Sequence, residues 1–182
     1  SRGLGDVYKR QPFGVDAEQV PALLKVMAVA GLQFEGFHLY AASQMLKADL
    51  LAQATRATGE LLLRLSADAP APVRHLNLGG GWGIPYFANE QPLDVAPVCA
   101  VLHELVARTA DELPGARLQI ELGRYLVGES GVYVAQVLDR KVSRGEVFLV
   151  TDGGLHHHLA ASGNFGQVIR RNYPVALSLI HI

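Results

Sequence analysis

Cysteine is nearly absent. Cys99 is the single one in 182 residues, so no internal disulfide can form and the composition fits a reducing, cytoplasmic setting. Lysine is scarce as well, with Lys9, Lys25, Lys47 and Lys141 the only four. Neither sign of charge dominates: 16 basic residues against 17 acidic ones leave a net charge of -1. That balance removes the usual electrostatic reason to expect nucleic acid or an anionic membrane as a partner. No apolar run reaches the roughly 18 residues that span a bilayer, and the first residues lack the apolar core of a secretory leader. Repeats and low-complexity tracts are missing too. Apolar residues, by contrast, make up 49% of the chain, enough for a core of ordinary size.

The periodicity reads as α/β. Asp16 and Gln19 have the spacing of a capping box ahead of Leu23, Leu24, Met27 and Ala30, and Gly31 closes that helix. Phe34 to Ala41 reads as a buried strand, and Ser43 to about Leu65 as a Leu- and Ala-rich helix. A Pro- and Ala-rich linker (Asp68 to Pro72) leads to a strand at His75 to Leu78. A helix over Asp94 to Leu113 and a strand over Arg117 to Leu122 follow. Strand, loop and helix repeated at this spacing predict parallel βα units. After a boundary near Val127 to Gly131, Val132 to Val142 and Glu146 to Thr151 form two strand-like runs around the turn-forming Ser143-Arg144-Gly145.

Three elements fall at the C-terminal ends of predicted strands, the face where parallel barrels carry their sites. Leu76 to Tyr86 (LNLGGGWGIPY) contains three consecutive glycines, whose N–H groups can converge on an anion or simply make a tight turn. Trp82 and Tyr86 read as core packing. Glu121, Gly123 and Arg124 put one negative and one positive group on the same rim, as a site or as a plain salt bridge. Along the strand from Phe37, alternation sends His38 and Tyr40 to one face, and Ser43 stands where it can cap the next helix or bind an oxyanion. His156-His157-His158 does not predict a metal site, because consecutive histidines do not easily aim at one ion. Cys99 lies on the apolar face of its helix and reads as a small core residue.

In order and spacing these three elements resemble the fold-type III pyridoxal 5'-phosphate (PLP) dependent decarboxylases, the ornithine, diaminopimelate and arginine decarboxylase group. The resemblance runs over Pro12 to Ala176. It implies that Gly79, Gly80 and Gly81 hold the cofactor phosphate. Glu121, Gly123 and Arg124 match the family's Glu-Pro-Gly-Arg, with Leu122 where proline is usual. Ser43 aligns on the serine of His-x-Gly-Ser, which places Ala42 at the glycine and Tyr40 at the ring-stacking histidine. His38 matches a second histidine found in diaminopimelate decarboxylases. A carboxylate beside the pyridine nitrogen favours its protonated, electron-withdrawing form, so Glu121 is the catalytic residue the resemblance implies. Racemases of this fold place a cation there, and a glutamate points to loss of CO₂ over racemisation. The run from Gly123 to Gln167 is similar to the diaminopimelate-decarboxylase-like enzymes associated with exosortase systems.

The resemblance implies part of a TIM (β/α)8 barrel over 12–128, followed over 129–176 by the start of a mainly β C-terminal domain. Residues 1–11 and 177–182 share no periodicity with their neighbours and read as non-native scars. A lysine should hold PLP as a Schiff base, yet none of the four falls at a predicted site-face strand end. By resemblance that lysine belongs upstream of residue 12, and a catalytic cysteine and a tyrosine belong downstream of residue 176. The expectation is an inactive piece of a homodimeric enzyme for a basic or diamino amino acid. A non-catalytic PLP carrier and a sugar-phosphate-binding barrel are the alternatives. The hairpin-like region argues against the first, and the second has no need of Glu121.

Overall fold

The computed structural model describes residues 14–154 together with residues 157 and 176. The proposed scars, the start at Pro12 and nearly all of the chain beyond Gly154 lie outside the described residues. Two compact units are present. The first comprises described residues up to Pro85 and Gln91–Gly128; the second comprises Tyr86–Glu90 and those from Glu129 onward.

The first unit is built from βα elements. A 3-10 turn at Ala17–Gln19 leads into α1 (Val20–Val29), with Pro21 in the first turn, where its missing N–H has no helical partner to lose. Asp16 makes no side-chain capping bond, so the capping box predicted from its spacing does not form. Gly31 closes the helix with a φ of 67°, as expected of a residue without Cβ. β1 (Gly36–His38), β2 (His75–Asn77) and β3 (Arg117–Gln119) then form a parallel sheet in the order β1-β2-β3. Between them run α2 (Ala48–Ser66) and α3 (Ala96–Glu112).

The core follows from the patterning. In α3, Val98, Val101, Leu105 and Thr109 recur every three or four residues, a single stripe that is buried. Leu51 and Leu62 of α2, Leu76 of β2 and Val98 are the most completely enclosed large side chains. Each contributes about 1.5–3 kcal/mol by leaving water. Gly59 lets α3 approach α2 closely, since a Cβ there would stand 2.5 Å from a Leu105 methyl. Cys99 packs partly buried against this core, as its position on the apolar face predicts.

The strands are shorter than the apolar runs that announce them. Phe34 does not pair in the ladder; it is buried edge-on against Phe37, ring centroids 5.1 Å apart. Leu39 N–H still donates to Asn77 O (3.0 Å), after which the chain leaves the sheet. The predicted helix from Ser43 starts only at Ala48, and its N-cap position, Lys47, makes no side-chain bond. Ser43 therefore does not cap α2. The physical reason is that Gln44 takes a left-handed backbone (φ 50°) and Met45 pairs with Trp82 in an isolated parallel bridge. That segment is committed to the glycine loop and cannot also start a helix.

In the second unit, β4 (Val137–Ser143) and β5 (Glu146–Thr151) form an antiparallel hairpin. Arg144 and Gly145 both have positive φ, 50° and 85°, the conformation of a two-residue type I′ turn. The first strand begins at Val137, later than the predicted Val132. Before it, Gln136 and Asp152 exchange hydrogen bonds of 2.8 and 3.1 Å, so the carboxylate takes over where the ladder stops.

Candidate cofactor site

Parallel register brings residues distant in sequence to one sheet end. His38, Asn77 and Gln119 are partners at the C-terminal ends of β1, β2 and β3. Beyond them the ladder continues as single bonds: Leu78 N–H donates to Gln119 O (2.9 Å) and Glu121 N–H to Gly79 O (2.8 Å). The glycine loop is thereby fixed against the end of β3, and Glu121 is delivered beside it.

The glycine triplet fits this position for a steric reason beyond its predicted anion-binding role. A Cβ on Gly79 would stand 2.7 Å from Leu39 O; on Gly80, 1.8 Å from Glu121 O; on Gly81, 2.2 Å from Ala42 O. Carbonyls of the two neighbouring strand ends occupy the space that side chains would need. Gly79 and Gly81 also have φ of 69° and 93°, which L side chains rarely adopt. Gly79 N–H donates to Asn77 Oδ1 (2.9 Å), while the N–H groups of Gly80 and Gly81 donate to no described residue.

A cavity of about 170 Å³ opens beside this loop, lined by Tyr40, Ser43, Gln44, Gly81, Trp82, Glu121, Leu122, Gly123 and Arg124. Six of the eight residues singled out by sequence therefore share one cavity; Gly79 and Gly80 stand behind it in the same loop. Tyr40 is half exposed and Ser43 is exposed at the rim. Trp82 is buried, in keeping with a packing role, and meets Tyr125 edge-on at 5.3 Å. This contact anchors α4 (Gly123–Val127), the short helix that carries Arg124.

The carboxylate of Glu121 is held from two sides. Its Oε1 accepts from Asn77 Nδ2 (2.8 Å), and its Oε2 lies 3.7 Å from His38 Nε2. The His38 and Glu121 side chains are 53% and 56% exposed, so that contact is weak and Asn77 is the stronger constraint. Arg124 Nη1 donates to Gln44 Oε1 (2.9 Å). Sequence reasoning overlooked both Asn77 and Gln44. Asn77 is the last strand residue before the glycines and so was visible in principle; its bond to Glu121 depends on strand register. Nothing local marks Gln44.

A larger cavity of about 380 Å³ lies at the N-terminal ends of the strands, lined by residues such as Ala28, Leu32, Phe34, Pro72 and Arg74. Its one cation, Arg74, pairs with Glu35 at 3.5 Å, and no nucleophile or acid–base pair lines it. The chemistry lies at the smaller one. Among the described residues no three His, Cys, Asp or Glu gather as a metal site; His156 and His158 are outside them. No described helix is long and apolar enough to cross a membrane.

Parallel strands ending in a glycine loop, with a carboxylate and a guanidinium on the same rim, give an α/β unit whose chemistry would suit an anionic ligand. The comparisons agree. Residues 4–128 match the family described as "Pyridoxal-dependent decarboxylase, pyridoxal binding domain", and the chain belongs to this family. It is 38% identical over 167 residues to the L-glutamyl-[BtrI acyl-carrier protein] decarboxylase of Niallia circulans, covering 90% of this chain and 38% of that protein. It is 29% identical over 162 residues to the diaminopimelate decarboxylase of Actinosynnema pretiosum subsp. auranticum, covering 85% and 36%. A crystal structure of diaminopimelate decarboxylase superposes with a TM-score of 0.63 at 26% identity, over 78% of this chain and 33% of that one. The Helicobacter pylori diaminopimelate decarboxylase complexed with L-lysine gives 0.63 at 24% identity, over 85% and 37%, a likeness of fold. The chain thus spans between a third and two fifths of the length of these relatives.

The residues present fit PLP. Two unclaimed N–H groups in a glycine loop suit its phosphate, and the Glu121 carboxylate in the same cavity suits its ring nitrogen.

Proposed function

We propose that this chain is the cofactor-binding portion of a PLP-dependent carboxy-lyase acting on an amino acid of the diaminopimelate and ornithine class. The observation that carries the reading is the single cavity shared by the glycine loop, Glu121 and Arg124. In this reading residues 12–128 belong to a (β/α)8 barrel and residues 129–176 begin a mostly β domain. The complete protein works as a cytoplasmic homodimer on a small-molecule substrate, without nucleic acid or membrane.

Bound PLP supplies an electron sink for the pair left behind when CO₂ departs. The chain's own residues bind and orient it. Gly80 and Gly81 offer backbone N–H groups to the phosphate, and Arg124 adds positive charge; Ser43 and Gly123 border the same end. Glu121, steadied by Asn77, holds a proton at the ring nitrogen. Tyr40, which lines the cavity, would be the residue to stack on the ring, without the proton-sharing ability of a histidine. Trp82 and Leu122 keep the floor apolar.

Lys25 lies on α1 and Lys47 precedes α2, and neither lines the cavity; Lys9 lies outside the described residues. In this reading the Schiff-base lysine is not one of the chain's four, so the chain should bind PLP without a covalent link and should not turn over substrate. The test titrates the 182-residue chain with PLP, with inorganic phosphate as competitor, and assays CO₂ release over a panel of amino acids. Saturable binding that phosphate displaces, weakened by Glu121→Ala and by Arg124→Ala, is expected. Binding insensitive to both substitutions would overturn the site, and steady CO₂ release would overturn the account of the lysines.

A second substrate reading comes from the 38% identity to the glutamyl-carrier-protein enzyme, which exceeds that to the diaminopimelate decarboxylases named above. There the substrate is a glutamyl group tethered to an acyl-carrier protein. CO₂ release from free diamino acids against a glutamyl thioester, measured with a longer protein carrying this segment, separates the two.

A further inference from the structure

Gln44 has no part in the scheme above, yet it lines the cavity and is held under strain. Its φ of 50° is one of two positive values among the described non-glycine residues, the other being Arg144 in the hairpin turn. Such a backbone is disfavoured for a residue with Cβ and persists only where the surroundings impose it. Here they do. Met45 N–H donates to Gly81 O (2.8 Å) and Gly83 N–H to Met45 O (2.9 Å), clamping the chain just after Gln44 to the glycine loop. The Gln44 carboxamide completes the clamp. Its Nε2 donates to Ile84 O (2.5 Å), and its Oε1 accepts from Ile84 N–H (3.3 Å) and from Arg124 Nη1 (2.9 Å). With both ends of the amide engaged on the backbone of one residue, its oxygen cannot turn away from the guanidinium without leaving Ile84 unpaired.

We propose that Gln44 is a positioning residue: its carboxamide, braced on the Ile84 peptide, holds the Arg124 guanidinium toward an oxyanion at the glycine loop and so sets the affinity of the site for a phosphate group. This rests on the reading of Arg124 as the cation of the phosphate end. The residue type fits the task. A neutral amide oxygen accepts from a guanidinium without cancelling its charge, whereas a glutamate would compete with the phosphate for it. A leucine would leave the Ile84 peptide without its partners.

A double-mutant cycle with inorganic phosphate as the probe tests this on the 182-residue chain, with thermal unfolding run in parallel. Gln44→Ala should weaken phosphate binding roughly ten- to 150-fold, the range for losing a bond to a charged group. In an Arg124→Ala background the same substitution should change binding less than about twofold, because its effect passes through the guanidinium. Gln44→Glu should weaken phosphate further than Gln44→Ala by pairing with Arg124. Equal weakening by Gln44→Ala in both backgrounds would overturn the proposal, showing that Gln44 acts through the loop backbone alone. Wild-type affinity in Gln44→Glu would overturn it as well. If Arg124→Ala itself binds phosphate like the wild type, the reading of Arg124 fails and the proposal falls with it, an outcome distinct from the other two.

Discussion

Gly80→Ala isolates what the glycine triplet does in the fold from what it does for a ligand. A Cβ at this position would lie 1.8 Å from Glu121 O and 3.0 Å from its carbonyl carbon. A relaxed carbon–oxygen contact needs about 3.3 Å, so the two backbones must separate by about 1.5 Å. No rotamer relieves this, because both sides of the clash are main chain. Separation also threatens the bonds from Glu121 N–H to Gly79 O and from Asn77 to Glu121, both 2.8 Å. Overpacking of this kind costs about 1–3 kcal/mol and a lost hydrogen bond about 1, so about 2–4 kcal/mol in total is expected. For a chain of this length that corresponds to a fall in Tm of roughly 4–16 °C. Gly123→Ala is the matched control: its added Cβ meets nothing within 4 Å and enters a helical turn, so Tm should hold or rise slightly. Thermal unfolding by circular dichroism, paired with a phosphate titration, reads both. A Gly80→Ala melt within about a degree of the wild type, with phosphate affinity intact, would refute the reasoning.

Asn77→Leu removes both the donor to Glu121 and the acceptor of Gly79 N–H, at a cost of about 1–3 kcal/mol. It should weaken PLP more than inorganic phosphate, because only PLP engages Glu121; equal loss for both in titrations would count against the bridge. Elsewhere, Arg56 hydrogen-bonds Glu104 between α2 and α3 and holds that carboxyl below its ordinary 4.5. Since the folded value is the lower one, the stability this pair supplies is present above pH 4.5 and is lost as pH falls through the folded value. Glu104→Gln should therefore lower neutral-pH stability slightly and match the wild type in acid. Both side chains are well exposed, so the difference in urea midpoints should also shrink in high salt. A difference that grows with acidity would contradict the sign.

How much of this was legible before any coordinates depends on how local the determining contacts are. The βα alternation, the helix over Asp94 to Leu113 and the hairpin about Arg144-Gly145 are set by neighbours within a few residues, and the sequence reading recovers them. The candidate site residues fall near one sheet end for a similar reason: in parallel α/β structure the strand ends lie at one face whatever the detailed register. Strand lengths were overestimated because an apolar run such as Phe34 to Ala41 records burial, and Phe34 is buried without pairing. The helix was expected to start too early, at Ser43, and of the two roles open to that residue the cap does not form, for a related reason. Propensity sees a polar residue ahead of a Leu- and Ala-rich run, but Gln44 and Met45 are claimed by Gly81, Gly83 and Ile84, nearly forty residues onward.

The same contrast explains why the triplet was found for only part of its reason. Sequence reasoning values Gly79 to Gly81 for the anion their N–H groups can reach. In the folded chain the missing side chains are also demanded by carbonyls of Leu39, Ala42 and Glu121, in the segments that follow β1 and β3, whose proximity is a tertiary fact. The two demands reinforce each other. Because Glu121 O fills the place of a Gly80 side chain, the glycine loop and the carboxylate cannot move independently; Asn77, bonded to both Gly79 and Glu121, tightens the same link. A ligand holding its phosphate in the loop therefore finds its ring end at a fixed offset from a carboxylate. That fixed offset is what orienting one cofactor requires of a rigid site, and it resides in backbone packing more than in any one side chain.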